Sequence, residues 1–249
     1  MTFQESVLRL GRVQHRLALE ARRRVSRAWL RRRHGLQTID DVRRDASFLD
    51  MRRSVVSAGT DSIAHFGSDY AMEGGLFLQQ NPDEFASLCV LLKGHRPIET
   101  YLEIGSASGG SCRFIATNVG VGRAISLDDG QHPRAAEQAG NFGHVSNFTQ
   151  FRGDSHSDAA RRFLAQAITT PIDVAFIDGD HSYEGVWADI RLVLGFSRPG
   201  TIFILHDTVA CEGVERAWLE SLSSGLMTGV AEFIGDRRPL GIGVAKVGH

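Results

Sequence analysis

A doubly wound α/β domain is the fold class this sequence predicts, and three observations predict it. Short apolar runs alternate with helix-compatible stretches from Asn81 onward, a glycine-rich turn follows the first run, and the last two runs are close enough to pair as a hairpin. The domain opens with Asn81, Pro82 and Glu84 as N-cap, first-turn proline and third-position acid of a helix reaching about Lys93. Strands are expected at Glu99 to Ile104, Ala124 to Leu127, Phe148 to Phe151, Val174 to Ile177 and Thr201 to Leu205. Helical sequence lies between them, so each successive pair forms a crossover unit of a parallel sheet. Val230 to Ile234 and Gly241 to Val247 flank the short Gly235-Asp236-Arg237-Arg238-Pro239 connection, which makes them an antiparallel hairpin. The expected sheet is therefore seven-stranded and Rossmann-like, with a C-terminal antiparallel hairpin.

Length and charge divide the rest. A chain of 249 residues with 42% hydrophobic content can bury one good-sized core. The formal net charge of -1 argues against a nucleic-acid partner, which would require surplus Lys and Arg facing phosphates. That average hides a basic segment, because Met1 to Arg53 holds 14 Arg against 6 acidic residues. Within it Leu10, Val13, Leu17, Val25 and Trp29 recur at helical steps among arginines, which predicts a basic amphipathic helical extension over residues 1–53. Such a helix can pack on its own domain, join subunits or touch a membrane surface. Ser54 to Gly75 is rich in small residues without a period, so residues 54–80 read as a connector or lid, with His65, Phe66 and Tyr70 available to a substrate. Residues 81–249 are then the catalytic domain. Cys89, Cys112 and Cys211 are odd in number and widely spaced, which fits reduced thiols of a cytoplasmic protein. No apolar run is long enough to be a transmembrane segment.

Ligands of open parallel sheets sit at the carboxyl ends of the strands, so the residues there carry the chemistry. After the first strand comes Glu103-Ile104-Gly105-Ser106-Ala107-Ser108-Gly109-Gly110-Ser111. A dinucleotide turn would have glycine where Ala107 stands, and no Lys or Arg lies between Glu103 and Cys112 to meet a phosphate. An acid-flanked turn of this kind suits a cationic ligand without phosphate, such as the amino and sulfonium groups of S-adenosylmethionine. Glu103, Gly105, Ser106 and Ser111 are its candidate contacts, and Gly105→Val is expected to weaken cofactor binding without unfolding the protein. Asp128 and Asp129 end the second strand where a carboxylate would accept ribose hydroxyls, and Asp154 and Ser155 end the third as candidate adenine contacts. Two later strands end in Asp178-Gly179-Asp180-His181 and His206-Asp207. Neighbouring strands bring Asp178 and Asp207 within reach of one hard cation, and His206 can complete the ligand set.

Tyr101 to Ser111, Asp178 to Gly185 and Pro199 to Thr208 together resemble the class I methyltransferase group that includes macrolide- and aminocoumarin-sugar O-methyltransferases and, more distantly, cephalosporin-hydroxylase-like proteins. The resemblance covers roughly Asn81 to Val247 and leaves the basic extension outside. It implies a metal-dependent sugar O-methyltransferase, of macrolide, aminocoumarin or methylmannose-polysaccharide type. In that group magnesium is held by the fourth-strand Asp and an acidic pair after the fifth strand, and a His three residues beyond the first Asp is a base. By position these roles fall on Asp178, on His206 with Asp207, and on His181. His206 departs from the pattern, because the sugar enzymes carry an acid there and a neutral imidazole suits softer metals.

The expected reaction is methyl transfer from S-adenosylmethionine to a hydroxyl, with a divalent metal, Mg2+, activating the acceptor and His181 taking the proton. Asp180 can orient His181, and His144 in the Gly140-Asn141-Phe142-Gly143 turn is a second candidate base. The acceptor is expected to be a small molecule or saccharide, a catechol-like natural product being the nearest alternative, in a homo-oligomer. Two readings of other kinds remain: a nicotinamide oxidoreductase, which Ala107 disfavours, and a membrane- or partner-binding protein whose basic extension is active and whose sheet is vestigial.

Overall fold

The computed structural model describes residues 25–61, 74–95 and 97–248. The predicted helical positions Leu10, Val13 and Leu17, and the loop residues His65, Phe66 and Tyr70, lie outside the described residues. The strands are β1 (Ile98–Ile104), β2 (Val121–Asp128), β3 (Phe148–Arg152), β4 (Val174–Ile177), β5 (Ile202–His206), β6 (Met227–Phe233) and β7 (Ile242–Val247). They form one sheet in the order β3-β2-β1-β4-β5-β7-β6. β1 to β5 run parallel, whereas β7 inserts antiparallel between β5 and β6. The seven-stranded doubly wound sheet with a terminal antiparallel hairpin is thus the fold observed.

Strand chemistry explains the two-sided core. Side chains alternate between faces along a strand. Tyr101, Phe176, Ile202 and Ile204 therefore enter one apolar cluster, and Leu102, Ile177, Phe203 and Leu205 enter the other. The first is covered by α3 (Phe48–Ala58) and by α4 (Pro82–Lys93), with Phe85, Leu88 and Leu92 buried. The second is covered by α7 (Asp158–Ala167), α8 (Tyr183–Leu194) and α9 (Glu212–Ser223), through Leu164, Ile190 and Trp218. α4 starts as its sequence requires, because the Asn81 side chain accepts hydrogen bonds from the N–H groups of Asp83 and Glu84, with Pro82 in the first turn. Glu84 does more than sit at the third helical position. It is buried, and its carboxylate accepts from the N–H groups of Gly235 and Gly241, which ties α4 to the β6–β7 turn.

The N-terminal segment packs into both layers. Residues 25–34 are helical (α1), followed by α2 (Ile39–Val42) and α3. Leu30 and Leu36 join the second cluster, and Ile39, Phe48, Met51 and Val55 join the first. The expected connector begins later than its composition implied, since Ser54 to Ala58 are the last residues of α3. Phe48, Met51 and Val55 form one helical stripe, and burial of that stripe outweighs the small polar residues around it. Gln37 extends the sheet, donating to the Val230 carbonyl at 3.0 Å and accepting from the Glu232 N–H at 2.9 Å, so the edge strand β6 is covered.

A buried charge network fixes α1. Glu232 is 1% exposed and meets Arg27 at 2.9 Å, Arg31 at 2.6 Å and the Trp218 ring N–H at 2.9 Å. Replacing Glu232 by alanine leaves the Trp218 indole N–H buried without its acceptor and removes one carboxylate from Arg27, which keeps Glu215 and the Thr208 carbonyl, a loss of about 2–3 kcal/mol. Chemical denaturation of Glu232→Ala should show that loss, and stability within about 1 kcal/mol of wild type would mean that water replaces the carboxylate without cost.

Candidate active site

Strand register builds the site. Ile104 lies level with Leu127 on one side and Ile177 on the other, and Ile177 is level with Leu205. The residues that follow these four positions, Gly105, Asp128, Asp178 and His206, are therefore delivered to one edge of the sheet. The chain order reverses between β1 and β4, which is where a doubly wound sheet opens a crevice. A cavity of about 450 Å³ lies there, and Gly105, Ser106, Ser111, Asp128, Asp129, Asp154, Ser155 and Asp178 all line it.

The glycine turn is shaped by close backbone approach. Gly105 has φ +80°, and a Cβ on it would stand 2.1 Å from the Asp178 carbonyl oxygen. Glycine is required by the backbone of Asp178 and Gly179 just after β4, so the expectation that Gly105→Val would perturb the ligand alone is corrected. Gly110, the first residue of α5 (Gly110–Ile115), is equally constrained, since a Cβ there would lie 2.1 Å from the Leu76 carbonyl oxygen. Ala107 adopts φ +48°, a glycine-like conformation, and its N–H donates to Asp128 Oδ2 at 2.9 Å. From α6 (Gln138–Phe142), Gln138 donates to the Ala107 carbonyl and to Asp128 Oδ1, both at 2.8 Å, and Asn141 donates to the Ser108 carbonyl at 2.8 Å. The turn is thus held open from behind by side chains.

Several predicted contacts take different positions. Glu103 does not line the cavity. It is fully buried behind the turn, accepting from Tyr101 Oη and Ser111 Oγ, each at 2.5 Å. Burial pushes its carboxyl up to about 7, against the pull of those two hydrogen bonds. Asp128 spends both oxygens on Ala107, Gln138 and the Gly130 N–H. Asp129 is exposed at the rim, with Oδ1 accepting from the Gln131 N–H at 2.8 Å and Oδ2 turned to no protein donor among the described residues. Ser155 Oγ donates to Asp189 Oδ1 at 2.7 Å, and His156 Nε2 lies 3.2 Å from the same oxygen. Asp189 is buried on α8, and burial raises its carboxyl to about 6 despite Ser155 and His156.

Beside the cavity stands a cluster of two carboxylates and two imidazoles. His206 Nδ1 lies 3.0 Å from Asp178 Oδ1 and 3.5 Å from Asp207 Oδ2. His181 Nε2 lies 3.3 Å and 3.4 Å from the same two oxygens. Burial disfavours charge on His206, yet Asp178 and Asp207 prevail and raise its basicity. The hydrogen bond to the Asp178 carboxylate does the same for His181, against partial burial. Asp178 is held well below the usual carboxylate range by His206 and His181 although burial opposes its ionisation. His181 is 39% exposed and its Nδ1 lies 3.5 Å from Cys211 Sγ, whereas His206 is 3% exposed and packs edge-on against Phe176. Asp207 has φ +60°, a strained conformation for a non-glycine residue and one that recurs at functional sites. Asp178, His206 and Asp207 place one donor atom each within 4.8 Å of one another, and so do His181, Asp207 and Cys211. Two anionic oxygens converging with imidazole nitrogens are a donor set that fits a divalent cation.

His144 is not brought to this edge. It is exposed on the turn after α6 and lines no part of the cavity. Residues that periodicity could not mark complete the cavity wall: Phe77, Gln79 and Gln80 from the segment before α4, His132 after β2, and His156 after β3. Gln79 Nε2 joins this wall together, 2.8 Å from His132 Nε2 and donating to Asp61 Oδ2 at 2.9 Å. No helix among the described residues is long and apolar enough to cross a membrane.

Comparison with known proteins agrees with this fold. An uncharacterized protein, R132, of Acanthamoeba polyphaga mimivirus is 30% identical over 113 residues, 43% of this chain and 51% of the relative, so the chain spans about half the length of the curated relative it matches. The O-methyltransferase TomG of Streptomyces achromogenes, solved with S-adenosylmethionine, superposes with a TM-score of 0.56 at 19% identity, covering 82% of this chain and 91% of TomG. The calicheamicin-biosynthesis enzyme CalS11, a TDP-rhamnose 3'-O-methyltransferase, gives a TM-score of 0.50 at 17% identity over 65% of this chain and 77% of CalS11. Residues 102–208, which run from β1 through the Asp178 and Asp207 cluster, match the family model described as a methyltransferase domain, inside a fold that solved O-methyltransferases share.

Proposed function

We propose that the protein is an S-adenosylmethionine-dependent O-methyltransferase that acts on a hydroxyl of a saccharide or glycoside with the help of a divalent metal. One observation carries this reading: the cavity lined by the glycine turn meets the Asp178, His181, His206 and Asp207 cluster at Asp178, which lines the one and belongs to the other. The turn would hold the cofactor's adenosine, Asp129 would accept from its ribose, and Ser155 and His156 would bound its adenine. Asp178 would then border the end of the cavity where the cofactor supplies its methyl group. Transfer is an in-line displacement in which the acceptor oxygen bonds to the methyl carbon while the carbon–sulfur bond breaks. The sulfur keeps the electron pair, which leaves S-adenosylhomocysteine, and the hydroxyl proton passes to His181 Nε2.

His181 is the imidazole suited to this step, because it stands on the solvent side of the cluster while His206 is sealed beneath it. A positioned base of this kind contributes roughly 10²- to 10⁴-fold. A divalent cation held by Asp178, His206 and Asp207 would lower the pKa of the acceptor hydroxyl. The saccharide acceptor is supported by the sequence resemblance to sugar O-methyltransferases and by the activity named for CalS11. The test is methyl transfer from S-adenosylmethionine to a panel of nucleotide sugars, glycosides and catechols in the presence of divalent metal, read by mass spectrometry. A sugar gaining one methyl group is expected. Turnover of catechols alone would replace the acceptor class, and no turnover on any hydroxyl with cofactor bound would overturn the reading.

A further inference from the structure

We infer that the cation site is built for a first-row transition ion that accepts nitrogen, of the Mn2+, Fe2+, Co2+ or Zn2+ class, and that His206 Nδ1 is an obligatory ligand in place of the all-oxygen set that magnesium prefers. The inference rests on the O-methyltransferase reading above and specifies its metal. Magnesium binds through oxygen in near-octahedral geometry and retains much of its water, whereas imidazole suits Fe2+ and Zn2+, and the affinity of a nitrogen-bearing site rises from Mn2+ through Fe2+ to Co2+.

The position of His206 sets its Nδ1 against both carboxylates of the cluster. It ends β5 in the sheet interior at 3% exposure, bounded by Phe176, so its ring cannot swing away from the carboxylates. Its Nδ1 lies 3.0 Å and 3.5 Å from the two oxygens that would hold the ion. Those two separations match neighbouring ligands around an ion bonded at about 2.0–2.2 Å. The other ring nitrogen, Nε2, is buried without a hydrogen-bond partner among the described residues. The ring is therefore not oriented by a bond on its far side, and the Nδ1 face is where its polar interactions lie. Cys211 Sγ beside His181 adds a soft donor at the outer edge of the cluster, in keeping with a transition ion.

The experiment is pulsed electron paramagnetic resonance on chelator-stripped full-length protein reloaded with Mn2+, alongside calorimetric titration with Mn2+, Co2+ and Mg2+. A modulation from an imidazole ¹⁴N nucleus coupled to Mn2+ is expected. It should persist in His181→Ala, which assigns it to His206, and disappear in His206→Asp. In the same His206→Asp protein the preference for Co2+ over Mg2+ should narrow by about tenfold or more, as one nitrogen ligand becomes oxygen. If His206→Asp fails to fold, the modulation in wild type and His181→Ala still decides the matter. Mn2+ bound without nitrogen coupling, or a modulation lost in His181→Ala, would overturn the assignment. Failure of all three ions to bind would overturn it too, and binding of S-adenosylhomocysteine by that sample would show that the methyltransferase reading survives.

Discussion

Gly105→Ala should be almost as damaging as Gly105→Val, and both should lose native protein, not merely affinity for cofactor. The atom that cannot be accommodated is the Cβ itself, 2.1 Å from the Asp178 carbonyl oxygen and 2.6 Å from Gly179 Cα. Accommodating it means parting β1 from β4 where the Asp178 N–H donates to the Ile104 carbonyl at 2.8 Å. An L-residue at φ +80° adds about 1–2 kcal/mol of conformational cost. Together with the overlap the loss should reach about 4 kcal/mol or more, a large share of the 5–15 kcal/mol typical of a domain. Thermal denaturation of the two variants checks this. A folded Gly105→Ala protein of wild-type stability with weakened cofactor binding would show that the glycine serves the ligand and not the sheet.

Asp178→Asn should give the largest loss of activity for the smallest change of shape. The amide keeps the volume at the end of β4 but removes the charge facing both His206 and His181. Turnover should fall on the order of 10²- to 10³-fold, the scale seen when one preorganised electrostatic contact is deleted. Affinity for S-adenosylhomocysteine should stay within about threefold, because in the proposed reading the turn and Asp129, and not Asp178, hold the nucleoside. Chelator should lower wild-type turnover to the level of the variant and leave the variant unchanged. A variant that keeps full turnover, or that loses cofactor binding in step with rate, would remove the cluster from the chemistry.

The sheet was legible because each strand is a short apolar run with its own breakers. Val174–Ile177 is bounded as read, and β1 and β3 differ by one residue at an end. β2 begins three residues earlier than its apolar run, at Val121, because partner strands extend pairing through Gly122 and Arg123, which carry no hydrophobic signal. The site was legible where chemistry follows a strand end, as at Asp128, Asp178 and His206. It was not legible where a side chain's direction decides the role. Nothing in the order Leu127-Asp128-Asp129 says that Asp128 turns inward to brace Ala107 while Asp129 faces the rim. Phe77, Gln79 and His132 lie in loops without period, and their place in the wall depends on contacts such as Ser108 Oγ donating to the Leu76 carbonyl, 32 residues away. The bond from Arg27 to the Thr208 carbonyl spans 181 residues, so the link between the basic extension and the turn after Asp207 had no local trace.

Calorimetric titration of the purified protein with S-adenosylhomocysteine, and in parallel with NADH, tests the central claim most directly. One molecule of S-adenosylhomocysteine should bind per chain, and NADH should give no heat, because the turn from Glu103 to Cys112 offers no cationic side chain for a pyrophosphate. Absence of S-adenosylhomocysteine binding by folded protein, or saturable binding of NADH in its place, would contradict the account.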